Sequence, residues 1–229
     1  MKKSRLVQNV ADRFGLIVSI PANCPELAYS AQKGGADGIK VHLNVGHYAS
    51  GTVFGSWQQE RENIRRILDR VNIPVGILPG ADVIASAGEI REARDMGIDF
   101  IDAFAHHMPM DLWSVDGLGR MIAVNDDYSS RQVSYIGELG GDLVEATLLT
   151  HDQYRRDLTL GDLTLYRQLV ESTDLPVYVP TQKKIRPGEI HHLARAGVRG
   201  IVIGAVVTGD DADNLRQVTE AFSREARSA

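Results

Sequence analysis

The chain has 229 residues, of which 43% are hydrophobic, enough to fill one large core. Its 25 Lys and Arg against 30 Asp and Glu give a formal net charge of -5, which excludes a general attraction to nucleic acid or an anionic membrane. A single cysteine, Cys24, excludes an intrachain disulfide framework and a cysteine-based zinc site, and fits a reducing compartment.

The opening MKKSRLVQ is followed by Asn9, Asp12 and Arg13, which break any signal-peptide core, and no apolar run approaches the ~18 to 20 residues of a membrane helix. The expectation is a soluble, cytoplasmic protein forming one domain over 1–229. Residues 1–14 carry an N-terminal helix, from about Lys3 to Arg13, with Val7, Val10 and Phe14 spaced to pack across an end or side of the fold. Eight short β-branched runs follow: LIVSI (16–20), GIKVHL (38–43), PVGIL (74–78), FIDAFA (100–105), MIAV (121–124), LVEATLL (143–149), PVYVP (176–180) and GIVIGA (200–205). Helical patterns over 25–34, 57–71, 82–96, 129–139, 160–173, 187–196 and 211–226 separate or follow them. The fourth connection, HMPMDLWSVDG, is too short and Pro-interrupted for a clear helix. Strands alternating with helices predict parallel crossover units.

A weak repeat supports the count. GGADGIKV, MGIDFIDA, LGGDLVEA and AGVRGIVI lead into every second strand, each with a glycine where the preceding helix needs a C-cap. Four units of two strands and two helices predict a (β/α)8 TIM barrel, with an open doubly wound sheet as the alternative.

In a closed barrel one set of alternate side chains meets the helices and the other points to the axis. Ile39, Val41 and Leu43 take the first direction, leaving Lys40, His42 and Asn44 inward. The same parity turns Asp102 and His106, Asp126 at the end of the fifth strand, and Glu145 and Thr147 toward the axis. A buried amine needs counter-charges, and Asp102 and Glu145 are the obvious ones. Lys40, Asp102, Asp126 and Glu145 are the candidate catalytic set. His42, Asn44, His47, His106 and Thr147 are candidate substrate contacts, several at the strand ends where barrel active sites lie. One of His106 and His107 could also join His42, Asp102 and Asp126 around a divalent metal, although the pattern requires no metal or other cofactor. His191 and His192 read as surface residues.

The stretch NVGHYASGTVFGSW, 44–57, exceeds an ordinary connection and reads as a binding loop or lid, or as a loop ordered by a second subunit of a homo-oligomer. Ser56 and Gln59 form a capping box for the helix beyond it. At the other end, a strand running into Gly204 and Ala205 lets backbone N–H groups approach a phosphate. Lys183, Lys184 and Arg186 in the loop TQKKIRPGE add possible direct contacts, and Thr181, Lys183, Lys184, Gly204 and Ala205 make the candidate phosphate site.

LIVSI, GGADGIKV, IPVGI, Asp126, Thr147 and the ending GIVIGAVVT resemble the N-acetylmannosamine-6-phosphate 2-epimerases and neighbouring phosphate-binding barrels. In that family a lysine ending strand three and a glutamate ending strand seven move the proton; the matching positions here hold Pro79 and Pro180. Lys40 falls where the family has a substrate-contacting arginine. The resemblance therefore implies a fold and a phosphorylated small-molecule ligand, and the reaction has to come from this chain's own residues. Three readings stand open. One is an enzyme shifting protons on a small phosphorylated, sugar-like metabolite, of isomerase or epimerase type. Another is an aldolase-type lyase in which Lys40 forms a Schiff base. The last is a non-catalytic binder of phosphometabolites. Burying both Lys40 and Glu145 favours an enzyme.

Overall fold

The computed structural model describes residues 4–10 and 12–229. In chain order its strands are β1 (Gly15–Ser19), β2 (Gly38–His42), the short β3 (Val45–His47) and β4 (Thr52–Phe54), then β5 (Val75–Leu78), β6 (Phe100–Phe104), β7 (Gly119–Val124), β8 (Leu143–Ala146), β9 (Val177–Pro180) and β10 (Gly200–Ile203). Eight of them form a closed parallel ring in the order β1-β10-β9-β8-β7-β6-β5-β2. Closure is direct, with Gly15 to Val18 paired in register with Gly200 to Ile203. The fold is thus a (β/α)8 barrel. β3 and β4 form a separate antiparallel hairpin inside the long connection after β2, where the sequence pattern reads only a loop.

The surrounding helices are α1 (Arg5–Asn9), α2 (Pro25–Lys33), α3 (Trp57–Arg70), α4 (Ala87–Met96), α5 (Met110–Trp113), α6 (Ser130–Glu138), α7 (Leu160–Glu171), α8 (Ile190–Arg195), α9 (Ala205–Thr208) and α10 (Ala212–Ala226). Four begin at capping boxes: Ser56 with Gln59, Ser86 with Glu89, Ser129 with Gln132 and Thr159 with Asp162. The box at Ser86 starts α4 later than the pattern from 82 suggests, because a side chain that accepts from Glu89 N fixes the first turn there. The expected start of α1 at Lys3 lies outside the described residues. Among the described residues, no helix is long and apolar enough to cross a membrane.

The internal repeat has a physical basis at the barrel floor. Its glycines, Gly35, Gly97, Gly140 and Gly197, all have the positive φ that ends a helix. In three repeats the aspartate just before the strand binds backbone N–H groups. Asp37 accepts from Leu16 N at 2.9 Å, Asp142 from Arg120 N at 2.9 Å, and Asp99 from both Arg5 N and Leu6 N at 3.0 Å. Asp99 thereby anchors α1 under the barrel, where Leu6 and Val10 close an interior layer of Ile17, Phe100, Met121, Leu143, Tyr178 and Val202.

Two aromatic rings fill that layer, and their neighbours on adjacent strands are glycines. A Cβ at Gly76 would overlap the Phe100 ring, and one at Gly200 would overlap Tyr178. Outside the ring, Ile39, Val41 and Leu43 belong to the larger core shared with the helices. The complementarity predicts that Gly76→Ala destabilises by about 1 to 3 kcal/mol through overpacking. The loss should appear as a lower urea midpoint at unchanged m, and Phe100→Leu should recover part of it.

Candidate active site

Lys40 sits in the middle of β2, aligned with Ser19 of β1 and Gly76 of β5. Its Nζ lies 2.6 Å from Asp102 Oδ2 on β6 and 2.8 Å from Glu145 Oε1 on β8. All three side chains are at most 7% exposed. Desolvating each charge costs several kcal/mol, so one ammonium cannot fully compensate two buried carboxylates. Burial works against the Lys40 charge, but Asp102 and Glu145 outweigh it and hold the amine protonated, its pKa raised above the usual lysine range. Burial, with the Glu145 charge beside it, pushes Asp102 up to about 7 against the opposing pull of Lys40. Glu145 is braced from its other oxygen, which accepts from Thr147 Oγ1 at 3.2 Å. Asp102 Oδ1, by contrast, has no hydrogen-bond partner.

A second cluster stands above the first. His42 is buried, shares a hydrogen bond with Ser19 Oγ through Nε2 at 3.1 Å, and leaves Nδ1 without a partner. Asn23 grips its backbone, accepting from His42 N at 3.1 Å and donating to His42 O at 2.8 Å. The rings of His47 and Phe54, both on the hairpin, pack against the His42 ring at 4.9 and 4.7 Å between centroids. Burial first, then neighbouring His47 and Lys40, push His42 well below its ordinary pKa. Burial and the Lys40 charge lower His47 to about 4. Both imidazoles are therefore neutral near pH 7.

Lys40, His42, His47, Asp102 and Glu145 line a cavity of about 250 Å³ at the C-terminal end of the strands. The hairpin forms one wall, and the segment after β8 holds its tip. Tyr48 stacks on His151 at 4.2 Å and meets Tyr154 edge-on, and the Arg155 guanidinium donates to Ala49 O at 2.7 Å. Gln182 donates its amide to Leu149 O and Tyr154 Oη, both at 3.1 Å, leaving Oε1 buried and unpartnered.

At the opposite rim, Thr181 and Gly204 line the cavity. Gly204 N donates to Thr181 Oγ1 at 2.9 Å, and the first turn of α9 leaves the N–H groups of Ala205 and Val206 outside the helix's own bonding. A Cβ on Gly204 would make only ordinary contact with Ser19, its nearest atom at 3.5 Å, so packing does not require the glycine. Lys183 is not at this rim. It is buried against Asp162 at 3.2 Å, beneath the start of α7, while Lys184 is exposed.

Several sequence candidates fall outside the cavity because strand alternation directs a side chain only while the strand lasts. β6 stops at Phe104, and a 3-10 turn over Ala105–His107 exposes His106, which pairs with Tyr128 Oη at 2.7 Å. β7 stops at Val124. The turn joining Asn125 to Asp127 leaves Asp126 exposed beside a separate cavity of about 180 Å³. Asn44 lies past β2 with φ 48° and donates to Pro79 O at 3.4 Å. His42 and Asp102 are thus parted from His106 and Asp126, and among the described residues no group of three or more His, Cys, Asp or Glu side chains is placed to hold a metal. Ser19, Tyr154 and Gln182 line the cavity and are missed by the sequence reading. Ser19 follows from the parity of LIVSI. The other clue is the length of 147–159, a connection as extended as the one read as a lid.

No family model matches the chain, and no curated protein sequence is similar to it. Solved structures are similar. Tryptophan synthase from Mycobacterium tuberculosis aligns over 99% of both chains at 16% identity with a TM-score of 0.71. (S)-3-O-geranylgeranylglyceryl phosphate synthase from Thermoplasma acidophilum, in complex with sn-glycerol-1-phosphate, aligns over 100% of both at 16% and 0.68. N-(5'-phosphoribosyl)anthranilate isomerase from Pyrococcus furiosus aligns over 95% of this chain and 100% of its own, at 20% and 0.64. The likeness is one of fold. It bears out the barrel expected from the sequence, not a particular closeness to the epimerases.

The charge on Asp102 has a measurable consequence. Its folded pKa of about 7 exceeds an unfolded value of about 3.9, so between those limits the folded chain keeps a proton that the unfolded chain has released. Stability should therefore fall as pH rises through that window, by up to about 1.4 kcal/mol per unit. Asp102→Asn should flatten the dependence of the urea midpoint between about pH 4 and about pH 7. Equal slopes in the two proteins would assign the titration to another group.

Proposed function

We propose that the chain is an enzyme that moves a proton on a small phosphorylated, sugar-like metabolite, in a reaction of isomerase or epimerase type. The observation that carries this reading is the Lys40–Asp102–Glu145 cluster, in which a carboxyl group tuned to about 7 has a buried, unpartnered oxygen beside the cavity. A carboxyl with that pKa exchanges protons in either direction near neutral pH, which suits a general acid or base. The fixed ammonium of Lys40 would stabilise negative charge developing on an adjacent substrate oxygen. Glu145 keeps that ammonium charged and in place, and neutral His47 offers a hydrogen bond from the hairpin wall. Asp126 has no part in this scheme.

Phosphate is assigned to the opposite rim, at Gly204, Ala205 and Thr181, where the backbone N–H groups of Ala205 and Val206 are available beside the Gly204–Thr181 hydrogen bond. The phosphorylated compounds in the names of the neighbouring barrel enzymes support that class of ligand. A cavity of about 250 Å³ suits a small metabolite rather than a drug-sized ligand. The Schiff-base alternative requires a neutral amine. It is disfavoured because two carboxylates hold Lys40 protonated, at 2.6 and 2.8 Å.

Proton transfer can be followed without knowing the product, by incubating phosphorylated aldoses and ketoses in deuterated water and reading deuterium incorporation by NMR. Asp102→Asn should lower the exchange rate by about 10² to 10⁴-fold. Borohydride reduction in the presence of the same carbonyl compounds should leave Lys40 unmodified by mass spectrometry. An adduct on Lys40 would overturn the proton-transfer role in favour of the lyase. Independently, Gly204→Val should weaken phosphorylated ligands while sparing their unphosphorylated counterparts; equal losses for both would place the phosphate elsewhere.

A further inference from the structure

The cavity holds enough unpaired chemistry to say which end of a ligand enters it, and this inference rests on the phosphometabolite reading above. Lys40 is the cation at the floor, and its ammonium is already engaged by two carboxylates. The other basic groups nearby are occupied or uncharged. Lys183 is turned away to Asp162, Arg155 is bound to Ala49 O at the hairpin tip, and His42 and His47 are neutral. Among the described residues, no lysine or arginine side chain lining the cavity offers a free positive charge to an anion.

What the interior offers instead is acceptors. Asp102 Oδ1 and Gln182 Oε1 are buried without partners. The orientation of Gln182 is settled by its surroundings, because its nitrogen must donate to the carbonyl of Leu149. An unsatisfied buried acceptor is stabilised by a donor brought in by the ligand. A carboxylate at the same place would meet Asp102 and Glu145 as a like charge in a desolvated site.

We propose that the barrel interior selects an uncharged, hydroxyl-bearing chain, that the ligand's hydroxyl groups donate to Asp102 Oδ1 and Gln182 Oε1, and that a carboxylate in that position is rejected. The anionic group then stays at the Gly204 rim. The substrate class is a phosphorylated polyol, aldose or ketose, and sugar acids and keto acids are excluded.

A matched pair of probes tests this directly. Glucitol 6-phosphate and 6-phosphogluconate have the same chain length and phosphate and differ in a terminal hydroxymethyl against a carboxylate. Glycerol 3-phosphate and 3-phosphoglycerate repeat the comparison at shorter length. Isothermal titration calorimetry on the intact chain at about pH 8, where Asp102 is mostly ionised, should give the hydroxylated member of each pair at least about tenfold tighter binding. Asp102→Asn, which removes a negative charge from the floor, should narrow the gap. Equal affinity within the pairs, or tighter binding of the acids, overturns the inference while leaving a phosphate site standing. If glucitol still exceeds gluconate but phosphorylation adds nothing, the selectivity stands and the phosphate reading fails. Absence of saturable binding by every polyol, phosphorylated or not, overturns the proposed selectivity.

Discussion

One ammonium held between two carboxylates at the centre of a closed barrel limits everything around it. A ring of parallel strands has to fill its axis with side chains, and a charged one is tolerated only if its partners arrive from other strands. Asp102 and Glu145 come from β6 and β8, 62 and 105 residues away from Lys40. The pairing therefore exists only if register and closure are right on at least three strands. Below this level the interior is apolar and packed against α1. Above it, the polar groups face a cavity. The cluster marks the boundary between the part of the barrel that holds the fold together and the part left for chemistry.

The same boundary separates what the sequence discloses from what it conceals. The glycine and aspartate repeat recurs because a parallel barrel needs the same helix end and strand start several times, so the architecture is legible without any functional motif. Lys40, Asp102 and Glu145 lie inside strands, where alternation settles direction. His106 and Asp126 each lie two residues beyond the last paired position, where a tight turn replaces alternation. Lys183 shows a different limit. A basic loop reads as an anion site, yet burial against Asp162 at the start of α7 makes this lysine a brace between loop and helix. Nothing in the local sequence distinguishes the two, because the deciding carboxylate is in a distant element.

The hairpin brings the opposite kind of information. Its alternation is too short to stand out, and an isolated two-stranded ribbon has little stability of its own. Here it is held at both ends. Thr52 donates to Pro21 O, and Glu60 receives Gly55 N and the amide of Asn23, which also grips the backbone of His42. The hairpin wall and the floor of the site are thus tied together through Asn23, so the position of His47 relative to Lys40 is set by backbone hydrogen bonding rather than by loop composition.

The direct pairing of β1 with β10 also orders the events of synthesis. At roughly 5 to 20 residues per second, the partner of β1 emerges on the order of ten to forty seconds after β1 itself. During that interval the nascent chain carries an open sheet with two unpaired edges, and α1 waits for Asp99 before it has an anchor. The charged cluster assembles in the same sequence, with Asp102 available to Lys40 before Glu145 exists. A growing chain of this protein is thus most exposed to edge-to-edge association in the period before its last strand leaves the ribosome, when a chaperone that shields sheet edges would have the most to protect.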